Sequence, residues 1–412
     1  MQDYKRPVVT LYGIGGLYNY GCEAIVRGTV ALLRTASSDV RVRYVTPRAD
    51  DDAKRIADLG IDVKQLHAGH RGVLLRAVNR VATALCIPFD SSRVDYNSVL
   101  NRTDLLVSIG GDIYTIPAYK RQKPRYPYFN QLVRAGQIAK EMGIPEIVIG
   151  ASIGPFGDYA PAIDYYANHL QQIALICCRE AKSMDYLGTI GVKSNVCLLA
   201  DPAFFVEGDS DYYANGEKYL GINLSPLSLH ELSGGVRNAD IKRMANLVSK
   251  LMDQTSLPAM LVPHVLSPDE GDNDLSFLQQ VHSAMDEEHR SKTKVVEPSG
   301  FLDAKKYLRQ CRFVIAARMH CAVNAICEGV PTILLSYSQK AIGMCEFVYG
   351  GLDWVLPLNH VEAQLPGKLA DLAAHEGAIR ERLSNRMEEI RNDAFNSDSF
   401  ERLRGLVSSL KA

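Results

Sequence analysis

The sequence predicts an α/β fold: two Rossmann-like domains facing a cleft, with mostly parallel sheets. Three observations predict it. Short apolar runs of strand character alternate with helical stretches along most of the chain. At 412 residues the chain is long for one domain and comfortable for two. A polar, glycine-bearing stretch at 206–218 separates two such alternating runs. Strands that alternate with helices imply parallel neighbours joined by right-handed crossovers.

The first strand is read at 7–12, followed by a loop over 13–21 and a helix over about 23–34. Residues 41–46 alternate as a second strand, 51–59 read as helix, and 62–66 as a short strand. A helix is read over 72–86. The apolar run 105–109 is a buried strand that stops at Gly110-Gly111-Asp112. Helix 128–142, strand 146–151, helix 161–173, strand 175–179, helix 181–188 and strand 196–199 complete this half. The second half begins at 219–224 and continues with strands at 259–264, 293–296, 313–317 and 332–335. Residues 360–412 read as charged helix. The expected domains are therefore 1–205, a linker at 206–218, 219–375, and C-terminal helices at 376–412 that cross back to the first domain.

Composition narrows the function classes. Apolar residues make up 47% and charged residues 23%, and the net charge is −1. A nucleic-acid partner is not expected, because phosphate neutralisation needs a clustered basic surface. The nine cysteines form no CxxC pair, are odd in number, and several lie in apolar runs. They read as reduced core residues of a cytoplasmic protein. Residues 1–7 lead straight into a strand without the apolar core of a signal peptide. No apolar stretch reaches the roughly 18–20 residues that span a bilayer. Helix 71–86 has two readings. Leu74, Leu75, Val78, Val81, Ala82 and Leu85 share one face and Arg76, Asn79, Arg80 and Thr83 the other. It is an ordinary core helix, or an interfacial one giving peripheral contact with anionic lipid at the inner membrane face.

The chemistry-bearing residues gather at predicted strand ends, where open α/β sheets hold ligands. The strongest set is Arg318, His320 and Lys340, around the strand that ends at Ala317. Strand alternation puts Arg318 and His320 on one side. Guanidinium, imidazole and ammonium together suit a small, multiply charged anion. The competing reading pairs Arg318 with Glu328. Gly13-Ile14-Gly15-Gly16 fails the GxGxxG spacing of a dinucleotide site. Past it, Asn19 is a ligand contact, and Glu23 is a base or a helix-start carboxylate. Asp112 orients a hydroxyl or caps a turn. Ser152 and the Gly154 amide follow another strand as ligand contacts or a structural turn. Arg179 is a cleft cation or half of an ion pair with Glu180 or Asp201. His264 is a second proton donor or a hydrogen-bonded structural histidine. The acidic loop Asp269, Glu270, Asp272, Asp274 reads as solvated, since it lacks an EF-hand pattern. Asp209-Ser210-Asp211 lies in the linker and is discounted as a metal motif. No zinc spacing and no GxSxG elbow are present.

At these residues the chain resembles the polysaccharide pyruvyl transferase family. The resemblance rests on 19–25 (Asn-Tyr-Gly-Cys-Glu-Ala-Ile), Gly110-Gly111-Asp112, Ser152-Ile153-Gly154-Pro155 and Arg179-Glu180 with Ser183. It continues through Ala200-Asp201-Pro202, Arg318-x-His320, Gly329-Val330-Pro331, Tyr337 and Lys340, in consistent order over most of the chain. Cys22 departs from the family, where Asp often precedes the Glu. The resemblance implies a glycosyltransferase-B-like fold. It also implies transfer of pyruvate from phosphoenolpyruvate onto two hydroxyls of a sugar in a surface polysaccharide or its lipid-linked precursor. On that reading His320, then His264, protonates the vinyl carbon. Glu23, Asp112 or Asp201 takes a hydroxyl proton. Arg318, Lys340 and Arg179 neutralise phosphate, and Asn19, Ser152, Gly154, Asp201 and Tyr337 contact substrate. No metal or redox cofactor is required. The alternatives are a nucleotide-sugar-dependent glycosyltransferase on the same fold and a non-catalytic glycan- or anion-binding protein of polysaccharide assembly.

Overall fold

A computed structural model describes residues 6–67, 73–90, 94–208, 219–233, 236–336 and 339–410. The chain forms two compact units. The first holds 1–16, 25–205 and 392–412. The second holds 17–24 and 206–391. Of the linker read at 206–218, residues 209–218 lie outside the described residues, and with them Asp209-Ser210-Asp211.

The first unit carries a seven-stranded sheet: β1 (Val8–Tyr12), β2 (Arg41–Thr46), β3 (Asp62–Gln65), β4 (Leu105–Ile109), β5 (Glu146–Ala151), β6 (Leu175–Cys178) and β7 (Val196–Leu198). Their spatial order is β3-β2-β1-β4-β5-β6-β7, and every pairing is parallel. The central strands β1, β4 and β5 are buried at every position. Helices on both faces of a parallel sheet demand this, so such strands read as unbroken apolar runs. The edge strand β3 is polar and half-open, which discourages pairing with another chain.

The second unit repeats the topology. Its strands are β8 (Tyr219–Asn223), β9 (Ala259–Leu261), β10 (Thr293–Val295), β11 (Cys311–Ala316), β12 (Thr332–Ser336) and β13 (Val355–Pro357). Their order is β10-β9-β8-β11-β12-β13, again all parallel. Counted from its own first strand, the second sheet runs 3-2-1-4-5-6 and the first runs the same with a seventh strand added, and each has a switch point beside that first strand, β1/β4 and β8/β11. No sequence repeat announces this. The α/β class is as expected.

Some elements differ from expectation. The strand read at 259–264 stops at Leu261. Val262 N–H still reaches Ile222 O, but Pro263 has no N–H to extend the ladder. β13 has only three residues, too few to show a period. The helical tail resolves into Val361–Ala374, Glu376–Phe395 and Asp398–Ser408. The helix Val73–Ala84 is present, and over its second half the core-helix reading does not hold. Ala82 is buried, but Val78, Val81 and Leu85 are 44%, 59% and 61% exposed. Helical period tells which residues share a face, not whether another layer covers that face. The side chains of Leu74, Leu75, Arg76 and Asn79 lie outside the described residues. Among the described residues no helix is long and apolar enough to cross a membrane.

Candidate functional site

In the second unit the site is built around the start of a helix. β11 ends at Ala316 and the helix Met319–Cys327 begins three residues later, with Arg318 at its N-cap. The alternation argument for Arg318 and His320 therefore fails: once the backbone turns helical, successive side chains rotate by about 100° and i, i+2 no longer share a face. The two side chains separate accordingly. Arg318 turns into the unit. Its Nε lies 3.1 Å from Asp274 Oδ1, and Nη2 lies 2.8 Å from the same oxygen and 2.6 Å from Asp272 Oδ1. Burial opposes the charged guanidinium, but Asp274 and Asp272 outweigh it and hold it charged.

Asp274 is fully buried and also accepts the backbone N–H groups of His264 and Val265, each at 3.1 Å. The acidic loop was expected to be solvated, and Asp274 is the exception that ties the Arg318 strand end to the His264 segment. Asn223, at the end of β8, completes the knot. Its Oδ1 accepts Arg318 N–H at 2.9 Å and its Nδ2 donates to Val262 O at 2.9 Å. Glu328 does not pair with Arg318; it pairs with Lys305 and Arg309.

Asn19, Glu23 and His264 come together around that knot. Tyr20 N–H donates to His264 O and Leu266 N–H to Tyr18 O, both at 2.9 Å. Asn19 Oδ1 accepts Gly21 N–H at 3.0 Å, opening the helix Tyr20–Ala36. Glu23 is 1% exposed and caps a different helix, accepting Phe301 N–H at 2.9 Å. The His264 ring is 1% exposed, edge-on to Tyr20 and Phe301, and neither ring nitrogen has a hydrogen-bond partner among the described residues. Burial first, and the neighbouring His320 second, push its imidazole down to about 3. His264 is therefore neutral at ordinary pH.

His320 sits in the first turn of its helix, half-buried, with Nδ1 against Gly21. A Cβ at position 21 would lie 2.4 Å from that nitrogen, so only glycine admits the ring there. The Lys340 side chain and all of Tyr337 lie outside the described residues.

The first unit holds a second group at the ends of β4, β5 and β6. Arg179, Ser152 and Asp201 are 7%, 3% and 1% exposed. Arg179 Nη1 donates to Asp201 Oδ2 at 2.8 Å, and Nε and Nη2 reach Ser152 Oγ at 3.1 and 2.8 Å. Arg179 is thus the ion-pair member of its two readings, with Asp201. Gly154 has φ +75° and the Tyr186 ring packs where a Cβ would lie, 2.1 Å away. Its N–H donates to Tyr114 O at 2.8 Å. Asp112 is exposed.

A buried polar cluster in this unit escaped the sequence. Glu146 Oε1 accepts from Ser108 Oγ at 2.7 Å and Tyr114 OH at 3.2 Å, and Tyr114 OH meets His169 Nε2 at 3.2 Å. Burial pushes Glu146 up to about 7 and His169 down to about 4. A charged residue opening an apolar strand was the available signal. Likewise Asn223 closing an apolar strand could have pointed to the knot, whereas nothing local distinguishes Gly21. Among the described residues no cluster of His, Cys, Asp or Glu could hold a metal ion.

The profile of the polysaccharide pyruvyl transferase family matches residues 19–339. No curated protein matches the chain. Solved structures match over nearly its whole length. A UDP-GlcNAc 2-epimerase from Neisseria meningitidis bound to UDP-GlcNAc is 12% identical, with TM-score 0.58, covering 95% of this chain and 100% of that one. Anabaena Alr3699/HepE in complex with UDP and glucose is 12% identical, with TM-score 0.56 and coverages of 98% and 100%. The S. aureus MnaA–UDP structure is 14% identical, with TM-score 0.56 and coverages of 97% and 95%. At such identities the likeness concerns the fold, which is of the glycosyltransferase-B type.

Proposed function

The chain belongs to the polysaccharide pyruvyl transferase family, and we propose that it moves pyruvate from phosphoenolpyruvate onto two hydroxyls of one sugar. The acceptor is a surface polysaccharide or its lipid-linked precursor. The observation that carries the reading is the His320 imidazole at a helix start, admitted by Gly21, inside the matched segment. A helix N-terminus offers N–H groups and a positive dipole end to a phosphate or carboxylate. Lys340, near the start of the helix Gln339–Tyr349, is kept as a further candidate cation on its sequence position. Arg318 is held by Asp272 and Asp274, so its role is to fix the strand end.

In this mechanism His320 donates a proton to C3 and the C2=C3 electron pair takes it, leaving an oxocarbenium-like C2. A sugar oxygen bonds to C2 and its proton passes to the departing phosphate as the C2–O bond breaks. The second hydroxyl of the same sugar then bonds to C2 and returns a proton to His320. Neutral, enclosed His264 does not serve as the acid. It lines the site and limits water there. Exposed Asp112 is assigned to the acceptor. The exposed stripe of Val78, Val81 and Leu85, with exposed Arg80 beside it, supports contact with an anionic membrane for a lipid-linked acceptor.

The test is phosphate release from phosphoenolpyruvate with a panel of lipid-linked and synthetic galactosides, mannosides and N-acetylhexosamines, with product mass checked for a pyruvyl ketal. His320→Ala is expected to keep the fold and lose turnover by roughly 10²–10⁴-fold. Wild-type turnover in that variant removes His320 from the mechanism. Absence of release together with tight nucleotide-sugar binding favours a glycosyltransferase. Ligand binding without any turnover favours a binding protein.

A further inference from the structure

A second charged region lies on the first unit at the opposite edge of its sheet from the strand ends described above. The starts of β1 and β2, the strand β3 and the turn before β4 border a groove of about 890 Å³. Its lining includes five permanent cations, Arg6, Arg41, Arg43, Lys64 and Arg102, with His67 beside them. Among the described residues the one carboxylate in that lining is Asp62, and it pairs with Arg41. The chain as a whole is almost neutral, at −1, so this is a local excess.

Three details argue that the excess is built to receive something. Arg43 donates through Nη1 to Asn101 O at 2.7 Å, while its Nε is buried with no hydrogen-bond partner among the described residues. An unmet buried donor is costly unless a ligand or water completes it. Burial and the neighbouring Arg41 and Arg102 together lower the Arg43 guanidinium, against the pull of Asp62 and Asp104. Asp104 is itself engaged, accepting Val8 N–H at 2.7 Å. Like charges crowded in this way are stabilised by an anion among them. Finally, Arg102 has φ +54°, a left-handed conformation that costs a non-glycine residue energy and is found mostly where function holds it. Charges that merely guard a sheet edge account for Lys64 on β3. They do not account for Arg43, which lies on the interior strand β2 and is half-buried.

We propose that this groove binds a multiply charged phosphate anion of the diphosphate class, either free or as the headgroup of an anionic lipid. Arg41 and Arg43 share one face of β2, roughly 7 Å apart along the strand, a separation that lets two guanidinium groups engage adjacent phosphoryl groups bidentately. Lys64 and Arg102 close the flanks.

The test is calorimetric titration of the full chain with inorganic pyrophosphate at low ionic strength. The comparison is with Lys64→Gln/Arg102→Gly and with Asp62→Asn. Glycine is at ease at φ +54°, so the double variant is expected to fold with an unchanged melting temperature. It should bind pyrophosphate at least tenfold more weakly, while Asp62→Asn binds a few-fold more tightly. Phosphate release from phosphoenolpyruvate should not change in either variant. Sedimentation with cardiolipin-containing vesicles, whose headgroup carries two phosphates, separates the two sources. Pelleting that pyrophosphate competes away, and that the double variant loses, identifies a lipid headgroup. Pyrophosphate binding without such competed pelleting identifies a free phosphate. No binding of pyrophosphate by the wild-type chain, or equal binding by the double variant, overturns the proposal.

Discussion

Each charged side chain near the Met319–Cys327 helix start is defined by its partners. Arg318 serves Asp274, and Asp274 serves two backbone N–H groups of the His264 segment. Replacing Arg318 by Leu leaves a buried carboxylate unpaired, which costs about 3–5 kcal/mol. Urea unfolding should show the loss, and a change below about 1 kcal/mol would mean the pair is dispensable. Gly21→Ala tests the other side of the site. Its Cβ would meet His320 Nδ1 at 2.4 Å, so the imidazole must move. Turnover is expected to fall at least tenfold while the melting temperature changes little, since a displaced acid loses rate steeply with distance. Unaltered turnover in that variant would show that His320 placement is not critical. The sequence singles out Arg318 and His320 by their position after an apolar strand. That one pairs inward while the other meets Gly21 was not legible there, because it depends on residues over 40 positions away.

At the scale of elements, helix starts do much of the organising. Glu23 lies in the first turn of one helix and caps another, Phe301–Arg309. Glu23→Gln keeps an acceptor oxygen but removes the charge from that N-terminus, which should cost about 1 kcal/mol, up to about 2 for a buried geometry. Under the capping role turnover stays within a few-fold of wild type. A drop of a hundredfold or more at unchanged stability would instead make Glu23 a base in the reaction. Sequence periodicity located most strands and helices here because buried parallel strands are apolar throughout and surface helices are not. It misjudged the helix Val73–Ala84 and the end of β9. The first depended on which layer covers a face, the second on a proline removing one ladder donor.

The whole molecule carries a pH signature from three buried groups. Glu146 is raised from 4.5 to about 7. Between those values the folded state keeps a proton the unfolded chain releases, so its contribution to stability falls as pH rises. His169 and His264 are lowered from 6.5 to about 4 and about 3. Between those values and 6.5 the unfolded chain takes up protons the folded one excludes, so their contributions rise with pH. The opposed slopes overlap between 4.5 and 6.5. Glu146→Gln removes only the falling one. Relative to wild type, that variant should gain about 3 kcal/mol as pH rises from 4.5 to 7. Denaturant melts across this range read it directly, and parallel stability curves for the two proteins would show that Glu146 ionises normally.

By itself the sequence determined the α/β class, the near-neutral net charge, and the ordered motifs of the family, and it marked the strand ends where the candidate residues gather. Those are local properties, written in period, composition and spacing. The tertiary structure decided the rest. It repeated one strand order in both units without a sequence repeat, committed Arg179 and Arg318 to buried carboxylates, set His264 neutral among rings, and crowded Arg41, Arg43 and Arg102 into one groove. Partner choice, burial and the resulting protonation states depend on which distant residues the fold brings within a few ångströms, and no local pattern encodes that.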